Sequence, residues 1–212
     1  MKKSAIYLMA LLLLSAGSLS AQTAFGVKGS FDLFNMTVKD DDGDRVETTM
    51  IPTFDAGVFT EIPVADEFYL RPELLFAQKG SKYDNIIETT TRISYLELPV
   101  NFLYKGALSG GNVLVGFGPY FAMGLGGKVK SGNVSLDVKF KNDYTDADEL
   151  AMYYKPFDMG AKVMAGYELS AGLQIILNAS LGIANIEPSF NGQKPDSNTK
   201  NVGFGLSLGY VF

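Results

Sequence analysis

Charged side chains stand at alternate positions inside otherwise apolar runs of this chain, and they are the residues best placed to do chemistry. Arg71 and Glu73 interrupt Phe68, Leu70, Leu74 and Phe76. Glu97 sits between Leu96 and Leu98. Asp158 and Lys162 alternate with Met159, Ala161 and Val163, and Lys28 and Asp32 with Val27, Phe31 and Leu33. Two carboxylates such as Glu73 and Glu97 could divide acid and base work if they met across a substrate. No cleft for that substrate is legible. Enclosed together, the same side chains must pair and hydrogen-bond or titrate. An ion-pair network of Lys28, Arg71, Glu73, Glu97, Asp158 and Lys162, centred on Arg71, Glu73 and Glu97, is therefore expected. Asp55, Glu61, Lys79 and Glu168 fall on the same side of the alternation. Histidine and cysteine are absent. That removes Ser-His-Asp and Cys-His nucleophiles, Cys/His zinc sites and disulfides. No catalytic residue, cofactor or metal is expected.

Three other motifs invite a chemical reading. Asp40, Asp41, Asp42, Asp44 and Glu47 surround Gly43, but counted from Asp40 the sixth and twelfth positions of a calcium loop hold Arg45 and Ile51. A solvated acidic loop is the better reading. Gly124, Gly126, Gly127 and Lys128 approach a phosphate loop, yet Ala122 stands where its first glycine belongs and Val129 where a Ser or Thr belongs. Gly203, Gly205 and Gly209 miss the dinucleotide spacing and lie in a strand pattern. These glycines suit a curved sheet.

The alternation itself defines the elements. Val202, Phe204, Leu206, Leu208, Tyr210 and Phe212 are apolar, and the residues between them are nearly all tiny. This is a strand with one face in an apolar medium and one in a crowded interior. Seven more strands follow the same rule: Ala24 to Asn35, Thr53 to Ile62, Glu67 to Lys79, Arg92 to Tyr104, Asn112 to Gly124, Pro156 to Leu169 and Leu173 to Ile183. About ten residues suffice to cross a bilayer at a tilt. The connections alternate: short at Pro63 to Asp66, Lys105 to Gly111 and Ser170 to Gly172, and long at Met36 to Pro52, Gly80 to Thr91, Leu125 to Lys155 and Ala184 to Lys200. The chain therefore reads as all-β, an eight-stranded antiparallel up-and-down transmembrane β-barrel. Both termini then share the short-turn side, the periplasm. Pro72 and Pro99 fall inside strands, where a missing donor is costly, and bulges near the rim are expected to absorb them. Within the longest loop, Val134, Leu136, Val138 and Phe140 suggest a hairpin rising above the membrane, and Asp146 to Tyr154 a short helix.

Composition agrees. Lys2 and Lys3, the apolar run Ile6 to Leu14 and the small residues after it form a secretory signal peptide, residues 1–21, with a cut after Ala21 or one residue earlier. Residues 22–212 make one barrel domain. Tyr and Phe number 11 and 15, Gly 23, and the net charge is −5. That charge argues against nucleic-acid binding.

The mature chain resembles the PorT-like outer-membrane β-barrel family typical of Bacteroidota. The resemblance rests on Phe25-Gly26-Val27-Lys28-Gly29, on Leu70-Arg71-Pro72-Glu73-Leu74-Leu75-Phe76 running to Lys79-Gly80, and on Tyr95-Leu96-Glu97-Leu98-Pro99-Val100. It implies a barrel in the bacterial outer membrane and explains both prolines. It implies no single activity. Outer-membrane barrels of this kind end in an aromatic strand read by the assembly machinery, so Phe204, Leu206, Leu208, Tyr210 and Phe212 are expected to act as an assembly signal. The expected partners are outer-membrane lipid, the barrel-assembly machinery and an extracellular ligand or protein on the long loops. The expected role is non-enzymatic, in surface interaction or envelope structure. A narrow porin, an outer-membrane enzyme and a soluble lipocalin-like binder are the alternatives.

Overall fold

The computed structural model describes residues 23–40, 42–84 and 87–212. The expected signal peptide lies outside them. Period-two alternation produces strands β1 (Ala24–Lys39), β2 (Arg45–Val46), β3 (Ile51–Ala65), β4 (Phe68–Tyr83), β5 (Thr89–Leu108) and β6 (Gly111–Ser131). The longest loop carries β7 (Val134–Phe140), β8 (Asp143–Tyr144) and β9 (Met152–Tyr154). The chain continues through β10 (Phe157–Leu169), β11 (Leu173–Gly182), β12 (Ser189–Phe190) and β13 (Asn198–Val211). Pairing runs β1, β3, β4, β5, β6, β10, β11, β13 and back to β1, each neighbour antiparallel. Eight strands thus close on themselves, which leaves no unpaired edge to face lipid.

The faces separate as the alternation demands. Phe31, Phe54, Val58, Leu98, Phe117, Val163, Leu177 and Leu206 are exposed on the outer wall, whereas Asp32, Arg71, Glu73, Lys79, Glu97 and Asp158 are buried inside. Only an apolar surrounding medium rewards that arrangement. Aromatic rings mark both ends of the outer apolar band. Phe25, Phe68 and Tyr210 lie near the short turns, and Phe31, Phe54, Phe76, Phe121 and Phe204 toward the long loops. On β5 the outward residues Tyr104 and Leu96 delimit the band. Eight residues span about 27 Å along a strand, or about 20 Å along the membrane normal at a barrel tilt.

Several expectations need correction. The strands on the long-loop side run past their expected ends, because β5 and β6 continue pairing to Thr89 and Ser131 beyond the apolar band. No bulge forms at Pro72 or Pro99. Phe59 pairs with Glu73 and Ile62 with Leu70, an unchanged register across Pro72, and Pro72 pairs with Val100 as Leu75 does with Glu97. A closed sheet holds each strand from both sides, so the ladder skips pairs beside a proline without slipping. The bulges lie elsewhere, at Pro63/Ala65 and at Ser94/Tyr95. The second of these faces Leu125 and reverses the alternation of β6, so that Val129 is buried while Lys128 and Lys130 are exposed. The hairpin above the membrane is present as β6 and β7. The helix expected over Asp146 to Tyr154 is absent. That segment turns and then pairs as β9 in parallel with β7, since the aromatic Tyr153 and Tyr154 favour extended structure over helix.

Candidate functional site

The lumen holds two ion-pair clusters. Toward the short turns, Arg71 donates through Nε to Glu73 at 2.9 Å and through Nη1 to Glu61 at 3.2 Å and Gln174 at 2.8 Å. Lys28 closes on Glu73 at 3.0 Å. Lys105, from the segment read as a turn, bridges Glu61 at 2.7 Å and Glu168 at 2.8 Å. The guanidinium lies 3.7 Å from the ring centre of Phe59, a cation–π contact between two buried side chains. Toward the long loops, Lys79 pairs with Glu97 at 2.7 Å and Asp158 at 3.0 Å, and Lys162 pairs with Glu97. Tyr120 and Asn201 donate to Asp158, and Lys79 sits 3.9 Å from the Tyr120 ring centre.

All six expected network residues therefore face inward, but they do not form one constellation. Glu97 belongs with Lys79 and Lys162, not with Arg71 and Glu73. Its position on the neighbouring strand, one cluster away from Arg71, is set by register, which composition cannot supply. Glu73 and Glu97 are each committed to cations, Glu73 to Lys28 and Arg71 and Glu97 to Lys79 and Lys162. Asp32 and Asp55 are buried and form no ion pair among the described residues. Lys105, Gln174 and Asn201 were missed as members. Their signal was only strand parity, and for Lys105 a strand boundary placed too early.

Apolar side chains complete the seal. Leu103, Leu114, Met164 and Ile176 fill the wall between β5 and β11. Met36, Ile93, Tyr95, Tyr120, Val129, Val138 and Ile186 fill the mouth. Val138 comes from β7 and Ile186 from the loop after β11, so the long loops fold back over the barrel. Ile186 is pinned there by Lys155 N–H to its carbonyl and by its own N–H to Thr199. Arg71, Lys79 and Glu97 have no exposed surface.

Above this seal the loops build a surface. Parallel pairing of β8 with β12 joins the two longest loops. Tyr144 stacks on Tyr153 with ring centres 5.0 Å apart and tilts against Phe190 at the same distance. A hollow of about 480 Å³ opens beside them, lined also by Glu187, Lys194 and Asp196. Lys141 forms an ion pair with Asp148. That ammonium, then the Thr145 backbone N–H, holds the Asp148 carboxyl below its usual range. The acidic loop is a local turn: Asp40 Oδ1 accepts from the Asp42 and Asp44 N–H groups. No group of three or more metal-ligating side chains occurs among the described residues.

A closed ring of tilted strands with an apolar outer band, aromatic ends and a charged, filled interior defines a transmembrane β-barrel. The profile of the family described as "Outer membrane protein beta-barrel domain" matches residues 6–212. The chain belongs to that family, and its place is the bacterial outer membrane. No curated protein sequence is detectably similar. Among solved structures, it is similar to Ail, the attachment invasion locus protein of Yersinia pestis, crystallised with the heparin analogue sucrose octasulfate. Identity is 12%, coverage 90% of this chain and 99% of Ail, and TM-score 0.42. It is similar also to Neisserial surface protein A (10% identity, 90% and 99% coverage, TM-score 0.48). OprG from Pseudomonas aeruginosa gives 12% identity, 89% and 95% coverage and a TM-score of 0.48. Likeness at this level carries nothing about what those proteins bind.

Proposed function

We propose that this protein is a non-enzymatic outer-membrane barrel whose work lies in its long loops. The observation that carries this reading is the contrast between a lumen filled by Arg71, Lys79, Glu97 and the mouth cluster and an open aromatic hollow beside Tyr144 and Phe190. A small barrel has an interior just wide enough for its own side chains. A water path would need the Lys79 and Arg71 clusters and the mouth cluster to part together. The loops face outside and both termini the periplasm, and the surface they build binds an extracellular ligand or protein. Within the family, the ordered segments Phe25 to Gly29, Leu70 to Gly80 and Tyr95 to Val100 support a PorT-like barrel. The outward face Phe204, Leu206, Leu208, Tyr210 and Phe212 serves the assembly machinery before closure and contacts lipid after it.

Planar-bilayer recording on purified, refolded protein tests the sealed lumen. The expected trace shows no discrete conductance steps. Reproducible steps that change with Lys79→Met would make the chain a narrow porin instead. Biotinylation of intact cells at Lys194, against a Lys194→Gln control, tests the outward placement of the loops.

A further inference from the structure

On β4, β5 and β6 the outward face changes from apolar to polar at one level. Phe76, Leu96 and Leu125 are the last exposed apolar residues, and Gln78, Ser94 and Gly126 form the next row, paired Gln78 to Ser94 and Ser94 to Gly126. One row higher, Arg92 and Lys128 are direct cross-strand partners. In the row above that, Thr90 pairs with Lys130. Rows on one face repeat every two residues, about 6.6 Å, and neighbouring strands lie about 4.8 Å apart. Along the strands, Arg92 and Lys128 thus stand about 13 Å and Lys130 about 20 Å from the apolar edge, on the outer face of the strand extensions.

The bulge at Ser94/Tyr95 is what places them there. Without it, Lys128 and Lys130 would keep the parity of Ala122 and point inward, and Val129 would point out. One extra residue sends two lysines to the outer wall and a valine to the mouth cluster. Arg92 is held in place: its Nη1 donates to the Pro52 carbonyl at 2.8 Å. The patch borders a hollow of about 670 Å³ lined by Gln78, Thr90, Arg92, Ser94, Lys128 and Lys130. Glu88 also lines it but is engaged by Lys82 at 2.8 Å. Asp137 lies across from Lys128 on β7 and forms no ion pair with it. The concentration of positive charge contrasts with a chain of net charge −5.

We infer that Arg92, Lys128 and Lys130 form a docking site for the phosphorylated sugar headgroup of an outer-leaflet glycolipid. The chemistry is fixed by position. A ligand here must be anionic, to meet three cations. It must also carry acyl chains, because only the one polar row of Gln78, Ser94 and Gly126 separates Arg92 and Lys128 from the lipid-facing Phe76, Leu96, Met123 and Leu125. A free phosphate would use the first feature and not the second. Arginine forks onto phosphate oxygens and lysines add point charges. The inference rests on the reading that the long loops face outside.

The test uses full-length folded protein in non-ionic detergent, titrated with bis-phosphorylated lipid A and followed by native mass spectrometry. Wild type should retain lipid A and prefer it to phosphatidylethanolamine. The triple variant Arg92→Gln, Lys128→Gln, Lys130→Gln should bind about tenfold more weakly or worse, since each cation near an anionic lipid contributes. Its heat-modifiable gel shift should match wild type, because all three side chains lie outside the lumen. Millimolar inorganic phosphate should not displace the lipid; full displacement would reassign the hollow to a free anion and overturn the proposal. Equal binding by the triple variant, or no preference over phosphatidylethanolamine, would also overturn it. Labelling of Lys194 from the periplasmic side alone, with phosphatidylglycerol binding that the triple variant loses, would place the failure in the orientation and not in the patch.

Discussion

Lys79→Met is the sharpest probe of the lumen. Lys79 has no exposed surface and holds Glu97 at 2.7 Å and Asp158 at 3.0 Å. Methionine keeps much of the side-chain volume against the rings of Tyr120 and Tyr95, so packing changes little. The charge is what disappears. Glu97 still has Lys162, but Asp158 keeps only neutral donors, Tyr120 Oη at 3.2 Å and Asn201 Nδ2 at 2.9 Å. Leaving a buried charge without its partner costs about 3–5 kcal/mol, or between two and four orders of magnitude in the folding equilibrium. Asp158→Asn in the same chain removes the stranded charge and keeps both hydrogen bonds in kind, so it should recover most of the loss. The assay is urea unfolding of refolded protein in detergent, followed by heat-modifiable gel mobility and far-UV circular dichroism. A loss below about 1 kcal/mol, the scale of a solvated pair, would mean that water reaches Lys79. A double variant no better than Lys79→Met would show that Asp158 is not the residue stranded. Either result would refute a dry upper cluster.

Other consequences follow from the same geometry. Leu98→Arg and Leu177→Arg put a charge on the lipid face and should each cost about 2–4 kcal/mol near the midplane. Asn178→Ser removes a bond to Ser207 Oγ and should cost about 1 kcal/mol. Equal refolding midpoints for all three would show that the faces are misassigned. Phe212→Ser should change the unfolding free energy of refolded protein by no more than about 3 kcal/mol, the worth of one large apolar side chain. It should lower outer-membrane levels in cells much further, and unchanged cellular levels would remove Phe212 from the assembly signal. In the loops, the depressed Asp148 carboxyl stabilises its turn above the ordinary aspartate range and loses that contribution only as pH falls through the lowered value. The Thr145 amide shift in an NMR titration should therefore report a midpoint below that of an ordinary aspartate. Lys141→Gln should raise the midpoint, and the same midpoint in both proteins would remove the ammonium as the cause.

Which residues face lipid and which face inward was written in the sequence, because a strand's two faces follow from parity alone. Phe204, Leu206 and Leu208 against Gly203, Gly205 and Ser207 need no structure to sort. The count of eight strands and the alternation of short and long connections were legible for the same reason. Lys28, Arg71, Glu73, Glu97, Asp158 and Lys162 could be placed in the lumen, yet their partners could not be named. Pairing depends on the register between strands whose partners lie as far apart in sequence as Arg71 and Gln174, 103 residues, and parity is silent about register. Tertiary structure alone put Lys79 between Glu97 and Asp158, brought Lys105 and Gln174 to the Arg71 cluster, and folded Val138 and Ile186 over the mouth. It alone revealed the bulge at Ser94/Tyr95 that inverts β6 and turns Lys128 and Lys130 outward. A bulge costs one unpaired residue and leaves no compositional mark, so a reading by alternation runs straight through it. The barrel was local information repeated eight times; the site was the way those eight repeats slid against one another.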